Sequence, residues 1–134
     1  MLKTVTREVV KFIPSKEQAG LDKHKDYKAT AVYFLPMSKR DYDVYIASLT
    51  EFRRTKLVNK SNQSSRLLFE KCLTAGPEGQ FLENVEIEGK FVPSVNDRML
   101  AVNFLLDMGD LETATEIELA MKGMSSLDED DEKN

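Results

Sequence analysis

The chain predicts an α+β fold, on three observations. Two β-branched or apolar segments lie within the first 35 residues, apolar stripes at helical spacing dominate the later part, and one short alternating ribbon lies between the helical stretches. With 134 residues and 41% hydrophobic content, one domain with a real core is expected. The expected content is an N-terminal β element, about four helices and one small β-hairpin, with the C-terminal half mostly helical.

Residues Lys3–Ile13 mix valine, threonine and isoleucine with charges and stop at Pro14, which predicts a strand. Pro14–Lys28 is polar, contains Gly20 and reads as a flexible loop. Ala29–Leu35 is apolar at successive positions, as a strand covered on both faces would be, and Pro36 ends it. Ser38 then opens a helix: its hydroxyl can cap the first turn, and Asp41 stands at the reciprocal position three residues on. Tyr42, Tyr45, Ile46, Leu49 and Arg53 continue it as one stripe to about Lys56. The polar run Asn59–Ser64 predicts a break. Leu68, Phe69, Cys72 and Leu73 form the face of a second helix over 65–74, closed by Gly76–Gly79.

Asn84–Pro93 is the hairpin, with Glu88-Gly89 turning the chain. Ser94 is expected to cap a helix containing Met99, Leu100, Val102, Phe104, Leu105 and Leu106, apolar almost all round and so the most buried. Asp110 caps the last helix, Leu111–Lys122, whose narrower stripe is Leu111, Ala114, Ile117 (or Glu118) and Met121. Residues 1–127 are read as the globular domain. Residues 128–134 carry five acids and one lysine, a sum of −4 that equals the net charge of the whole chain. So dense a run of like charge cannot bury apolar surface and predicts a disordered acidic tail.

These counts weigh against catalysis and against metals. Imidazole and thiolate ligands come to one histidine, His24, and one cysteine, Cys72. A nucleophilic Cys–His pair would need those two to meet. His24 reads as an exposed loop residue and Cys72 as a helix cysteine on the buried side. The phosphate-binding glycine motifs, the Gly-x-Ser-x-Gly elbow and the calcium-loop spacing do not occur, so no catalytic residue, cofactor or metal is expected. The single cysteine fits a reducing compartment. The first residues show no signal-peptide core and no apolar run reaches bilayer-spanning length, so a cytoplasmic protein without membrane contact is expected.

Partner recognition remains. The basic stretch Arg53, Arg54, Lys56, Lys60, Arg66 and Lys71 reads first as a solvated helix face. An acidic protein partner, phosphate contacts to nucleic acid, and the acidic tail of a neighbouring copy or of its own chain are the alternatives; nucleic acid is disfavoured because the chain is acidic overall. Partner binding is placed at the C-terminal end, on Leu111, Ile117, Met121, Met124 and Leu127 with the acids Asp128, Glu129, Asp130, Asp131 and Glu132.

Three segments carry a resemblance. They are Tyr33-Phe34-Leu35-Pro36-Met37-Ser38-Lys39-Arg40-Asp41-Tyr42, the hairpin Val85–Phe91 with its Glu-Gly-Lys turn, and the ending Gly123-Met124-Ser125-Ser126-Leu127-Asp128-Glu129. With them the chain resembles the small tail assembly chaperones of long-tailed bacteriophages. The resemblance implies a non-catalytic protein of the infected bacterial cytoplasm, absent from the mature virion, that coats and solubilises the tape measure protein and helps recruit major tail protein. It also implies a longer form made by ribosomal frameshifting; Glu132-Lys133-Asn134 can be encoded GAA-AAA-AAC, which contains the slippery run A-AAA-AAC. A homo-oligomer fits a coating role. The competing expectation is a small acidic adaptor or inhibitor that occupies a basic site on another protein.

Overall fold

The computed structural model describes residues 2, 8–55 and 60–123, the side chains of 50–55 and 60–63 excepted. The elements run β1 (Val10–Phe12), α1 (Ser15–Lys23), β2 (Ala31–Phe34), α2 (Lys39–Thr55), α3 (Lys60–Cys72), β3 (Leu82–Ile87), β4 (Lys90–Val95), α4 (Arg98–Leu106) and α5 (Leu111–Met121). The class is α+β, as expected. Among the described residues there are five helices and one four-stranded antiparallel sheet in the order β1-β2-β3-β4.

The unbroken apolar run at 31–34 is buried at every position and forms an inner strand. It pairs with β1 through Val10↔Phe34 and Phe12↔Val32, and with β3 through Ala31↔Glu83 and Val32↔Leu82. On one face of the sheet, Val32, Phe34, Leu82, Val85 and Val95 meet Leu68, Phe69, Ile117 and Met121 from the helices, in one cluster. Burying a side chain of this size stabilises by roughly 1.5–3 kcal/mol relative to exposure, so this cluster holds the fold together. On the opposite face Tyr33 donates to Glu83 at 2.7 Å, Gln80 donates to the same carboxylate at 2.9 Å, and Lys11 lies 3.5 Å from it. That network ties three strands and the 74–80 loop together. Burial, with the neighbouring Glu83 charge, pushes the Tyr33 hydroxyl up to about 12.

The capping box at Ser38 forms as expected, the Asp41 N–H donating to Ser38 Oγ at 3.2 Å and the Ser38 N–H to Asp41 Oδ2 at 3.4 Å. The hairpin turns on Glu88 and Gly89, at φ of 51° and 79°, the mirror-image turn whose twist suits antiparallel strands. β4 lies at the sheet edge, where Pro93 withholds no hydrogen bond from an inner partner. Arg98, the first residue of α4, donates to the carbonyls of Leu73 at 2.6 Å and of Glu70, joining α4 to the negative end of α3.

Five expectations are corrected. The loop expected over 14–28 contains helix α1. The break expected at 59–64 is already helical from Lys60, and the Tyr45 hydroxyl donates to the Ser64 carbonyl at 2.8 Å. Ser94 caps nothing, because β4 continues to Val95 opposite Leu82; Asp97 caps α4 instead, accepting from the N–H groups of Met99 and Leu100. α4 is not covered all round: it buries Ala101, Val102 and Leu105, three of its nine residues, and leaves the apolar Met99 and Leu100 exposed. The strand expected over Lys3–Ile13 is Val10–Phe12, with residues 3–7 outside the described residues. Among the described residues no helix is long and apolar enough to cross a membrane.

Candidate functional site: a groove between the first and last helices

α1 follows Pro14, whose fixed φ suits a helix start and whose side chain provides no cap. The cap comes from another helix. Glu116 of α5 takes the Ser15 N–H at 3.1 Å on both carboxylate oxygens, and the Ser15 hydroxyl at 2.5 Å. A carboxylate there also complements the positive end of the helix. One residue on, the Lys16 ammonium lies 2.9 Å from Asp110 and 3.4 Å from Glu112. Asp110 simultaneously caps α5, accepting from the Thr113 N–H and hydroxyl at 3.2 and 2.8 Å. Hydrogen bonds from Lys16 and Thr113 hold the Asp110 carboxyl down at about 2. Glu17 receives the Thr30 N–H at 2.9 Å and the Tyr27 hydroxyl at 3.0 Å, the first of which fixes α1 to the start of β2.

Polar contacts therefore attach α1, and none of its residues is buried. A helix moored by its rim leaves space beneath. Between α1 and α5 runs a groove of about 700 Å³ with a mostly apolar lining that includes Phe12, Ile13, Ala19, Leu119 and Ala120. Asp22, Glu112 and Glu116 stand along it against one cation, Lys16. A separate space of about 190 Å³ lies among Pro14, Val32, Phe104, Leu105, Met108 and Ile117. Lys16 and Thr113 line both spaces, so groove and cavity adjoin there.

The expected partner-binding residues divide. Leu111 is 76% exposed, whereas Ile117 and Met121 are fully buried in the core and present no surface to a partner. The buried stripe of α5 runs through Thr113, Ile117 and Met121; Leu111 and Leu119 lie off it. Met124, Leu127 and Asp128–Glu132 lie outside the described residues. In the basic stretch Arg66 is half-exposed and pairs with Glu70 at 3.6 Å. Lys71 is exposed, and the side chains of Arg53, Arg54, Lys56 and Lys60 fall outside the described residues.

Cys72 is buried, and burial pushes its thiol up to about 11, which leaves no reactive thiolate near neutral pH. His24 is exposed just past the end of α1. Among the described residues no three potential ligands gather at a metal-binding distance. The α1 side of the groove was missed in the sequence because α1 has no apolar stripe to find. Its available signals were Pro14 at the start, Glu17 in the first turn and Lys23 in the last. No family model, curated protein or solved structure matches the chain.

Proposed function

We propose that this chain works by holding other polypeptides, and that it is a tail assembly chaperone of a long-tailed bacteriophage. In this role it covers the tape measure protein, keeps it soluble in the host cytoplasm, helps recruit tail tube subunits, and is left out of the finished virion. The observation that carries the binding role is the apolar groove between α1 and α5, lined in part by carboxylates. Such grooves suit amphipathic helices, which dock through side chains at i, i+3, i+4 and i+7. The resemblance in residues 33–42, 85–91 and 123–129 supplies the identity of the partners.

Co-expression tests this role. A cognate tape measure protein that is insoluble alone becomes soluble with this chain and co-purifies with it. Failure across several cognate fragments removes the tail assembly role and favours the acidic adaptor, which predicts one tight partner carrying a basic patch. Mass spectrometry of purified virions checks the location: a stoichiometric amount of the chain in finished particles contradicts it.

A further inference from the structure

We infer that the groove between α1 and α5 takes a basic amphipathic helix, and that one large apolar side chain of that helix enters the cavity behind Lys16. The inference rests on the polypeptide-binding reading and not on tail assembly. Three observations on the molecule select this occupant over others.

Shape comes first. α5 has 11 residues, about 16 Å of helix at 1.5 Å rise, which fits roughly three turns of a second helix laid alongside it. The lining at Ala19 and Ala120 is small, which lets another helix approach closely, while Phe12, Ile13 and Leu119 provide apolar surface. Charge comes second. The groove lining carries three carboxylates, Asp22, Glu112 and Glu116, and one ammonium that Asp110 and Glu112 already occupy. The surplus is negative, so a helix with lysine or arginine on its flanks is attracted and one with glutamate is repelled.

The third observation is the adjoining cavity. Its lining combines the apolar side chains of Val32, Phe104, Leu105, Met108 and Ile117 with polar groups that include Glu17 and Asp110, and its volume of about 190 Å³ suits one leucine or phenylalanine side chain. Lys16 and Thr113 line both this cavity and the groove, so the two spaces adjoin there. The Lys16 chain is flexible and 60% exposed, so it swings aside without loss of core packing. Burying an anchor in such a pocket is how a few residues come to dominate an interface.

The test uses the full chain and two fluorescent peptides of about 18 residues, long enough to form helix. Both carry the same leucine stripe with a central phenylalanine; one has lysine flanks and the other glutamate flanks. Anisotropy titration is expected to show binding of the lysine peptide at least about tenfold tighter than the glutamate peptide, weakening as salt is raised. Replacing the central phenylalanine by alanine weakens the lysine peptide by about tenfold or more. The double variant Asp22→Lys with Glu112→Lys reverses the preference, and Leu119→Ser, at a site 39% exposed, weakens both peptides while the circular dichroism spectrum stays unchanged. Equal binding of the two peptides, binding of neither, or indifference to both sets of variants overturns the inference. If tape measure rescue succeeds while peptide preference fails, polypeptide binding stands and the groove assignment falls. The opposite pair of results removes tail assembly and keeps the groove.

Discussion

Two regions of this molecule are attached by different physics. The sheet and helices α3 to α5 share a cluster in which Phe34, Leu68, Phe69, Leu82, Ile117 and Met121 are almost wholly shielded from water. α1 touches the same body through Ser15, Lys16 and Glu17, by hydrogen bonds and ion pairs, and none of its residues is fully buried. Exposed ion pairs contribute little, and a segment with few buried apolar contacts opens at lower free energy than the core beside it. The difference separates roles: the cluster keeps the fold, and the weakly moored helix forms one wall of the groove proposed above to take a partner.

The largest expected effect breaks the strong region. Phe69→Ala removes a ring from the centre of the core and is expected to destabilise by about 3–5 kcal/mol in urea unfolding. Leu21→Ala in α1, where no residue is buried, costs a fraction of that. A loss of similar size at both positions would erase the contrast.

Two glycines sharpen it. A Cβ at Gly76 would lie 2.7 Å from the ring of Tyr33, which is buried and held by Glu83. Gly76→Ala is therefore expected to cost about 1–3 kcal/mol through overpacking. A Cβ at Gly20 would lie 2.6 Å from the Tyr27 ring, which is 38% exposed and can swing away. Alanine inside a helix also gains about 1 kcal/mol over glycine, so Gly20→Ala changes the unfolding midpoint little while breaking the Tyr27–Glu17 bond. Both are read from urea midpoints of the two variants; equal losses contradict the contrast.

Smaller effects concern the mooring itself. Glu116→Gln weakens the cap on α1, so the amides of residues 15–23 exchange faster with solvent while the core amides keep their rates. Slowed or unchanged exchange in α1 would show that it is held by something else. Acid acts on the neighbouring contact. Asp110 titrates at about 2 instead of its ordinary 3.8, because hydrogen bonds from Lys16 and Thr113 favour its charged form. A lowered carboxyl stabilises fully above its ordinary value and loses that contribution as pH falls toward the folded value. Amide resonances of Lys16 and Thr113 should therefore shift as pH falls through about 2, while those in β2 and α3 do not follow that midpoint. Simultaneous loss of all resonances at higher pH would contradict this.

What the sequence revealed followed the same division. Strand β2, the Ser38 capping box, the Glu88-Gly89 turn and the Asp110 cap were legible because each rests on local chemistry or a plain apolar pattern. The pairing of β2 with β3 was not, since two helices intervene and only two residue pairs join the strands. α1 was hidden because it has no apolar face, and its cap, Glu116, lies 101 residues away. The same gap hid half of the groove. On α5 the apolar stripe was recognised, but its inner members, Ile117 and Met121, are occupied by the core, and the neighbouring Leu119 faces the groove. Periodicity identifies an apolar face, and the helices packed around it decide whether a partner can reach it.

The central claim is that a polypeptide is held between α1 and α5. Hydrogen exchange of the full chain, with and without a soluble cognate tape measure fragment, tests it most directly. Added protection over residues 12–23 and 111–120 is the predicted result. Protection confined to another exposed apolar surface, such as Val44 and Ile46 on α2 or Met99 and Leu100 on α4, with α1 unchanged, would contradict it.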